Sequence, residues 1–157
     1  MQKVSQCLWF DTQAQEAAEF YVSVFRNSKI GDISYYGETG QEIHGKKAGS
    51  VMTVGFELDG QEFLALNGGP RFKFNEAISL VVKCKDQKEL DYFWEKLSEG
   101  GDPAAQQCGW LKDKYGLSWQ VIPENIGKLI GDPSCSENVM SEILQMKKID
   151  IAKLQSV

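Results

Sequence analysis

One histidine, two arginines and no closely spaced cysteine pair make this chain of 157 residues poor in the groups that usually carry chemistry. With His44 as its sole imidazole, it cannot assemble a Ser–His–Asp or Cys–His catalytic pair of the usual kind. With Arg26 and Arg71 as its only guanidinium groups, it has no arginine-rich surface for gripping phosphates. The net charge of −5 also speaks against nucleic acid as a main partner. The four cysteines (Cys7, Cys84, Cys108, Cys135) form no CxxC motif, and Cys7 and Cys84 lie in apolar runs, so they read as reduced thiols of a cytoplasmic protein. No apolar run approaches the roughly 20 residues of a membrane helix, and the opening MQKVSQCLWFD has no long apolar region, so neither a membrane partner nor a signal peptide is expected.

What is present is an ordinary globule's balance, 42% hydrophobic and 25% charged, enough for a single domain over residues 1–157 or two small halves around a core. A strand is predicted at 4–10. A helix follows at 14–26, where Ala17, Phe20, Tyr21, Val24 and Phe25 recur at helical spacing. Strands are expected at 30–36, 50–58 and 62–66, with Asp59-Gly60 as a hairpin turn between the last two and a long loop over 37–49. Asn67-Gly68-Gly69-Pro70 then breaks the pattern.

The pattern starts again with a strand at 77–84. A helix at 87–98 follows, striped by Leu90, Phe93, Trp94 and Leu97 and closed by Gly100-Gly101. Two arms, one at Trp110 and one at 117–122, flank a tight Asp113-Lys114-Tyr115-Gly116 turn. The order strand–helix–strands therefore occurs twice at a spacing of about 75 residues, giving modules at 1–69 and 76–123. A helical tail at 132–156 carries Val139, Met140, Ile143, Leu144 and Met146, with a break at Lys147-Lys148 and a last turn capped by Asp150. Its apolar stripe suits either its own module or a second subunit.

LWFD followed by EAAEFYVSVF, then FKFNEAISLVVKC, then CGWLKDKYGLSWQVIP, with a closing DP…MKKIDIAKL segment, resembles the PhnB-like branch of the vicinal oxygen chelate (glyoxalase/bleomycin-resistance) superfamily. The resemblance spans nearly the whole chain. It implies an α+β fold of duplicated βαβββ modules forming a curved mixed-sheet cup, plus the C-terminal helix. It also implies a homodimer, and a divalent metal held by strand residues of both modules. The corresponding positions here are Gln6, Leu64 (with Asn67 just beyond), Ser79 and Gln120, neutral donors and one alkyl group where imidazole and carboxylate are needed. The expectation is therefore no metal and no cofactor.

The branch often bears the label 3-demethylubiquinone-9 3-methyltransferase. That label implies S-adenosylmethionine, yet the first strand runs into Asp11-Thr12-Gln13-Ala14 with no glycine for a nucleotide loop.

Strand alternation puts Ser118, Gln120 and Ile122 on one face and turns Trp119 into the core. The expected ligand set for a flat or moderately apolar small molecule is Gln6, Ser79, Trp110, Ser118 and Gln120. A second candidate is an anion nest of Asn67, Gly68, Gly69 and Arg71. Two alternatives stay open: a metal-dependent isomerase or dioxygenase with recruited ligands such as His44 or Glu62, and the methyltransferase of the label.

Overall fold

The computed structural model describes residues 2–157, and its chain divides into two units, the first ending at Lys73 and the second beginning at Phe74. The first unit runs β1 (Gln6–Phe10), α1 (Ala14–Val24), β2 (Lys29–Tyr35), α2 (Gln41–His44), β3 (Val51–Leu58) and β4 (Gln61–Asn67). Its sheet has the order β1-β4-β3-β2, with β1 parallel to β4 and the other pairs antiparallel. The predicted β3–β4 turn is present: Asp59 and Gly60 both take positive φ, as a two-residue type I′ connection requires.

Small side chains let α1 lie close on this sheet. Its buried stripe is Ala14, Ala17, Ala18, Tyr21 and Val24, against Leu8, Phe10, Val54, Phe56 and Ala65 of the strands. The helix stops at Val24 rather than at residue 26, because Phe25 is already extended. Gln13 gives no side-chain cap, and the cap comes from β4 instead, where Asn67 Oδ1 accepts the Ala14 N–H at 2.8 Å. The stretch expected as loop at 37–49 contains the single turn α2, held between Gly40 and Gly45 in left-handed conformations.

The second unit runs β5 (Leu80–Cys84), α3 (Gln87–Ser98), a 3-10 turn (Pro103–Ala105), β6 (Trp110–Lys112) and β7 (Ser118–Pro123), then α4 (Ile126–Gly131), α5 (Ser136–Leu144) and α6 (Ile151–Gln155). Its sheet order is β5-β7-β6, again with the first strand parallel to the last and the hairpin antiparallel. This repeats the plan of the first unit one strand short. Between α3 and β6 the chain makes the proline-led 3-10 turn and a lone Gln107–Trp110 bridge, where the first unit has β2. The fold is thus α+β, with two open mixed sheets each covered by a helix.

Asp86 starts α3 by accepting the Glu89 N–H at 2.8 Å, and Glu89 accepts the Lys85 N–H in return. Leu90, Trp94 and Leu97 are the buried stripe of α3, packed against Val82, Cys84, Leu111, Trp119 and Val121. At the end of α3, Gly101 is required by space: a Cβ there would overlap the Lys112 carbonyl oxygen. The tail docks on its own unit. Cys108 and Gly109 donate backbone N–H groups to Met146 and Lys147 carbonyls, each at 2.8 Å, and Val139, Ile143, Ile149 and Leu154 are buried. Gln87 clamps the same segment, donating to the Ile149 carbonyl and accepting from the Ile151 N–H. Met140 and Leu144 of α5 stay exposed.

The hairpin turn is organised by a buried carboxylate. Asp113, 2% exposed, accepts the Tyr115 and Leu117 N–H groups at 2.8 and 3.1 Å through Oδ1, and the Trp119 indole N–H at 2.9 Å through Oδ2. Removing an acceptor from buried donors costs roughly 1–3 kcal/mol per orphaned group. Asp113→Ala is therefore expected to lower unfolding free energy in urea by about 3 kcal/mol or more. A loss under about 1 kcal/mol would contradict this role for the carboxylate.

Candidate functional site

In the second unit the helix covers one face of the sheet and leaves the other uncovered by it. With Trp119 and Val121 fixed in the core, alternation places Ser118, Gln120 and Ile122 on the opposite face of β7. The register aligns Gln120 with Val81 on one side and Trp110 on the other, and Ser118 with Lys112. Ser79 precedes β5 on this same face, and Gln120 Nε2 donates to its Oγ at 3.0 Å. Four of the five expected ligand-set residues, Ser79, Trp110, Ser118 and Gln120, are therefore neighbours on one surface.

A recess of about 380 Å³ opens beside the edge strand β6, lined by Trp110, Lys112 and Ser118 together with Cys108, Gln107 and Glu76. Its two charges neutralise each other, since Lys112 and Glu76 form an ion pair that holds the Glu76 carboxyl below the usual carboxylate range. Ser118 is the unusual member. It is 1% exposed, and its hydroxyl has no hydrogen-bond partner among the described residues. A buried hydroxyl without a partner is costly, which sets Ser118 apart from the other residues that line the recess.

In the first unit, the fifth residue of the set is on the other side of its sheet. Gln6 shares a face with the buried Leu8 and Phe10, the side that α1 covers, and its Oε1 is buried without a partner. Cys7 and Trp9 occupy the opposite face, where Cys7 aligns with Leu64. Sequence mapping set Gln6 beside Leu64; the pleat separates them by one residue, which is one face.

Trp9 explains much of the Asn67–Arg71 segment. Its indole N–H donates to the Gly69 carbonyl at 2.9 Å, and the ring lies where a Cβ on Gly68 would have to be. Phe72 meets the indole edge-on at 4.9 Å, and the Arg71 guanidinium lies over the Phe72 ring. Asn67 is engaged inside the unit, accepting from Ala14, donating to the Val51 carbonyl at 3.1 Å and receiving the Tyr36 hydroxyl on its own carbonyl. The residues of the expected nest thus have packing and hydrogen-bonding duties at the end of β4.

The superfamily's metal can be tested on the donors. Gln6 and Leu64 lie on opposite faces, Leu64 offers no lone pair, and the Gln120–Ser79 pair is neutral. Among the described residues no group of three His, Cys, Asp or Glu is placed to hold a metal ion. His44 is engaged elsewhere: its ring packs on Tyr36, and Nδ1 accepts the Lys46 N–H at 2.9 Å. This donor set does not fit a divalent cation.

Comparison with known proteins decides the family. The profile of the 3-demethylubiquinone-9 3-methyltransferase family matches residues 2–122. A PhnB protein from Bacillus cereus, bearing the same methyltransferase description, is 38% identical over 77% of this chain and 99% of its own, with a TM-score of 0.64. The chain belongs to the PhnB-like family. Its fold is the glyoxalase-like one, shared by a Pseudomonas aeruginosa protein at 15% identity, which aligns over 78% of this chain and 98% of its own with a TM-score of 0.59. No curated protein matches significantly. No helix among the described residues is long and apolar enough to cross a membrane.

The thiols of this PhnB-like chain stand in different surroundings. Burial, helped by the nearby Glu89 and Asp86 charges, pushes the Cys84 thiol up to about 12, and burial also raises Cys7. Cys135 donates to the Leu129 carbonyl at 3.6 Å, while Cys108 lines the recess. Because the Cys84 pKa is higher folded than unfolded, its contribution to stability is complete below the unfolded value, roughly 8.5, and is lost as pH rises toward 12. Urea unfolding followed from about pH 8 to 11 should show stability falling more steeply in the native sequence than in Cys84→Ala. Parallel curves would contradict the assignment.

Proposed function

We propose that this PhnB-like protein binds a small, flat, neutral organic molecule on the uncovered face of its second sheet. Trp110 supplies an aromatic surface and Gln120 and Ser79 a fixed pair of neutral polar groups, with Ser118 buried in the wall of the recess. The observation that carries the reading is the recess of about 380 Å³ beside β6, with Trp110 in its lining next to the Gln120–Ser79 pair. The charge arrangement favours a neutral occupant, because Lys112 is already paired with Glu76. Gln6, on the helix-covered face of its own sheet, is no part of this reading.

The methyltransferase description of the family and of the Bacillus cereus relative suggests S-adenosylmethionine instead. The usual cradle for that cofactor is a doubly wound parallel sheet with a glycine-rich turn after the first strand. Here each sheet has one parallel pair, and β1 leads into Asp11, Thr12 and Gln13. Binding without a metal or that cofactor is therefore the reading the geometry favours.

Thermal shift across a set of neutral aromatic alcohols, ketones and amides, with S-adenosylmethionine and divalent metal salts as separate arms, tests it. A compound at a hundredfold excess over its Kd stabilises by about 2.7 kcal/mol, a rise of roughly 5–10 °C in Tm for a chain of this size. The expected result is such a rise for some neutral compounds, lost in Trp110→Ala and Gln120→Leu. No shift across the set, or saturable binding only of S-adenosylmethionine or a metal, would overturn it.

A further inference from the structure

The aromatic wall of the recess is framed by a turn that its own residues do not favour. Gln107 and Trp110 exchange backbone hydrogen bonds at 3.0 and 2.8 Å, and both line the recess. Between them Cys108 and Gly109 take φ of +56° and +84°, the pattern of a type I′ connection. Gly109 suits that conformation, but the first central position calls for Asn, Asp or Gly and is occupied by a cysteine. The turn is held from outside. The Cys108 and Gly109 N–H groups donate to the Met146 and Lys147 carbonyls of the tail, each at 2.8 Å. Ile149 of the same segment packs on Gly109, where a Cβ would stand 3.2 Å from its Cγ1.

The tail in turn is fastened by one side chain of α3. Gln87 Nε2 donates to the Ile149 carbonyl at 3.1 Å, and Oε1 accepts the Ile151 N–H at 2.8 Å. A further bond from Nε2 to Asp91 Oδ1 at 2.8 Å orients the amide, and Asp91 is paired with Lys148 of the tail. Gln87 lines a different cavity, of about 450 Å³, and is not among the residues lining the recess.

We infer that Gln87 is a positioning residue for the recess: it fixes the tail at Ile149 and Ile151, and the tail holds the Gln107–Trp110 turn that presents the Trp110 indole. This deepens the binding reading above and rests on it for its functional meaning. Strained backbone persists only where its surroundings over-determine it. With the tail loosened at Gln87, a cysteine at φ +56° loses the contacts that keep it there.

The test is amide hydrogen exchange on the full chain, comparing the native sequence with Gln87→Leu, which keeps side-chain bulk and removes the bonds to Ile149, Ile151 and Asp91. Exchange at Cys108, Gly109 and Trp110 should quicken by about tenfold or more. Tyr115 and Leu117, whose N–H groups Asp113 accepts, should exchange at native rates. Acceleration confined to Ile151 would overturn the inference. An equal rise at Tyr115 and Leu117, the mark of general destabilisation, would overturn it too. Cys108→Asn suits the turn without help from the tail, so adding it to Gln87→Leu should bring Trp110 exchange back toward the native rate. A Trp110 rate indifferent to that change would rule out the route through the turn. Binding is scored separately with acetophenone, a flat neutral ketone, whose Kd should rise about tenfold in Gln87→Leu. No binding to the native chain counts against the binding reading, while the exchange pattern still decides the positioning. An unchanged Kd beside quickened exchange would break the link between Gln87 and the site.

Discussion

The candidate site depends on a hydrogen bond that lies outside it, from the Trp119 indole to the buried Asp113 carboxylate. Asp113 also gathers the turn's own N–H groups, so the same side chain fixes the hairpin and pins one residue of β7 to the core side. A strand has only two faces, and once Trp119 is committed inward its neighbours Ser118 and Gln120 must face out. The pairing with β6 then sets Trp110 and Lys112 beside them. A polar contact at a turn thereby specifies which side chains meet on the uncovered face.

The two repeats have put the same plan to different uses. In the first, the face opposite the helix carries Trp9, which closes onto Gly68 and Gly69 with Phe72 at its edge, and Asn67 ties β4 to the helix start and to β3. Its aromatic and amide groups serve the unit's own cohesion. In the second, the sheet is one strand shorter, and a recess stands where the 3-10 turn replaces that strand. There a serine hydroxyl is buried without a partner, and a cysteine is held in a conformation that its side chain does not favour.

Much of this was legible in the residues. The strand–helix–strands order in both halves, the Asp59-Gly60 turn, helix α3 to the residue and the break before Asp150 all follow from local signals of period, cap and turn. Alternation correctly separated Trp119 from Ser118 and Gln120, because that argument needs only one anchored residue. Gln6 comes from the family resemblance and not from alternation; the apolar Leu8 and Phe10, two and four residues on, carry the signal that places it on the core side of its strand. The missing strand of the second repeat, the Asn67 cap on α1 and the orphaned Ser118 hydroxyl are tertiary facts. They depend on which distant atoms arrive beside a residue, and no local pattern announces them.

The central claim is that the uncovered face of the second sheet receives a neutral small molecule through groups that Asp113 and Trp119 hold in place. The most direct measurement is side-chain NMR on 15N-labelled protein titrated with a neutral aromatic ketone, following the Gln120 amide and the indole N–H groups separately. The account predicts saturable shifts of the Gln120 amide and the Trp110 indole, with the Trp119 indole unmoved on Asp113. Shifts confined to Gln6 and Trp9, or none at any of these groups at saturating ketone, would contradict it.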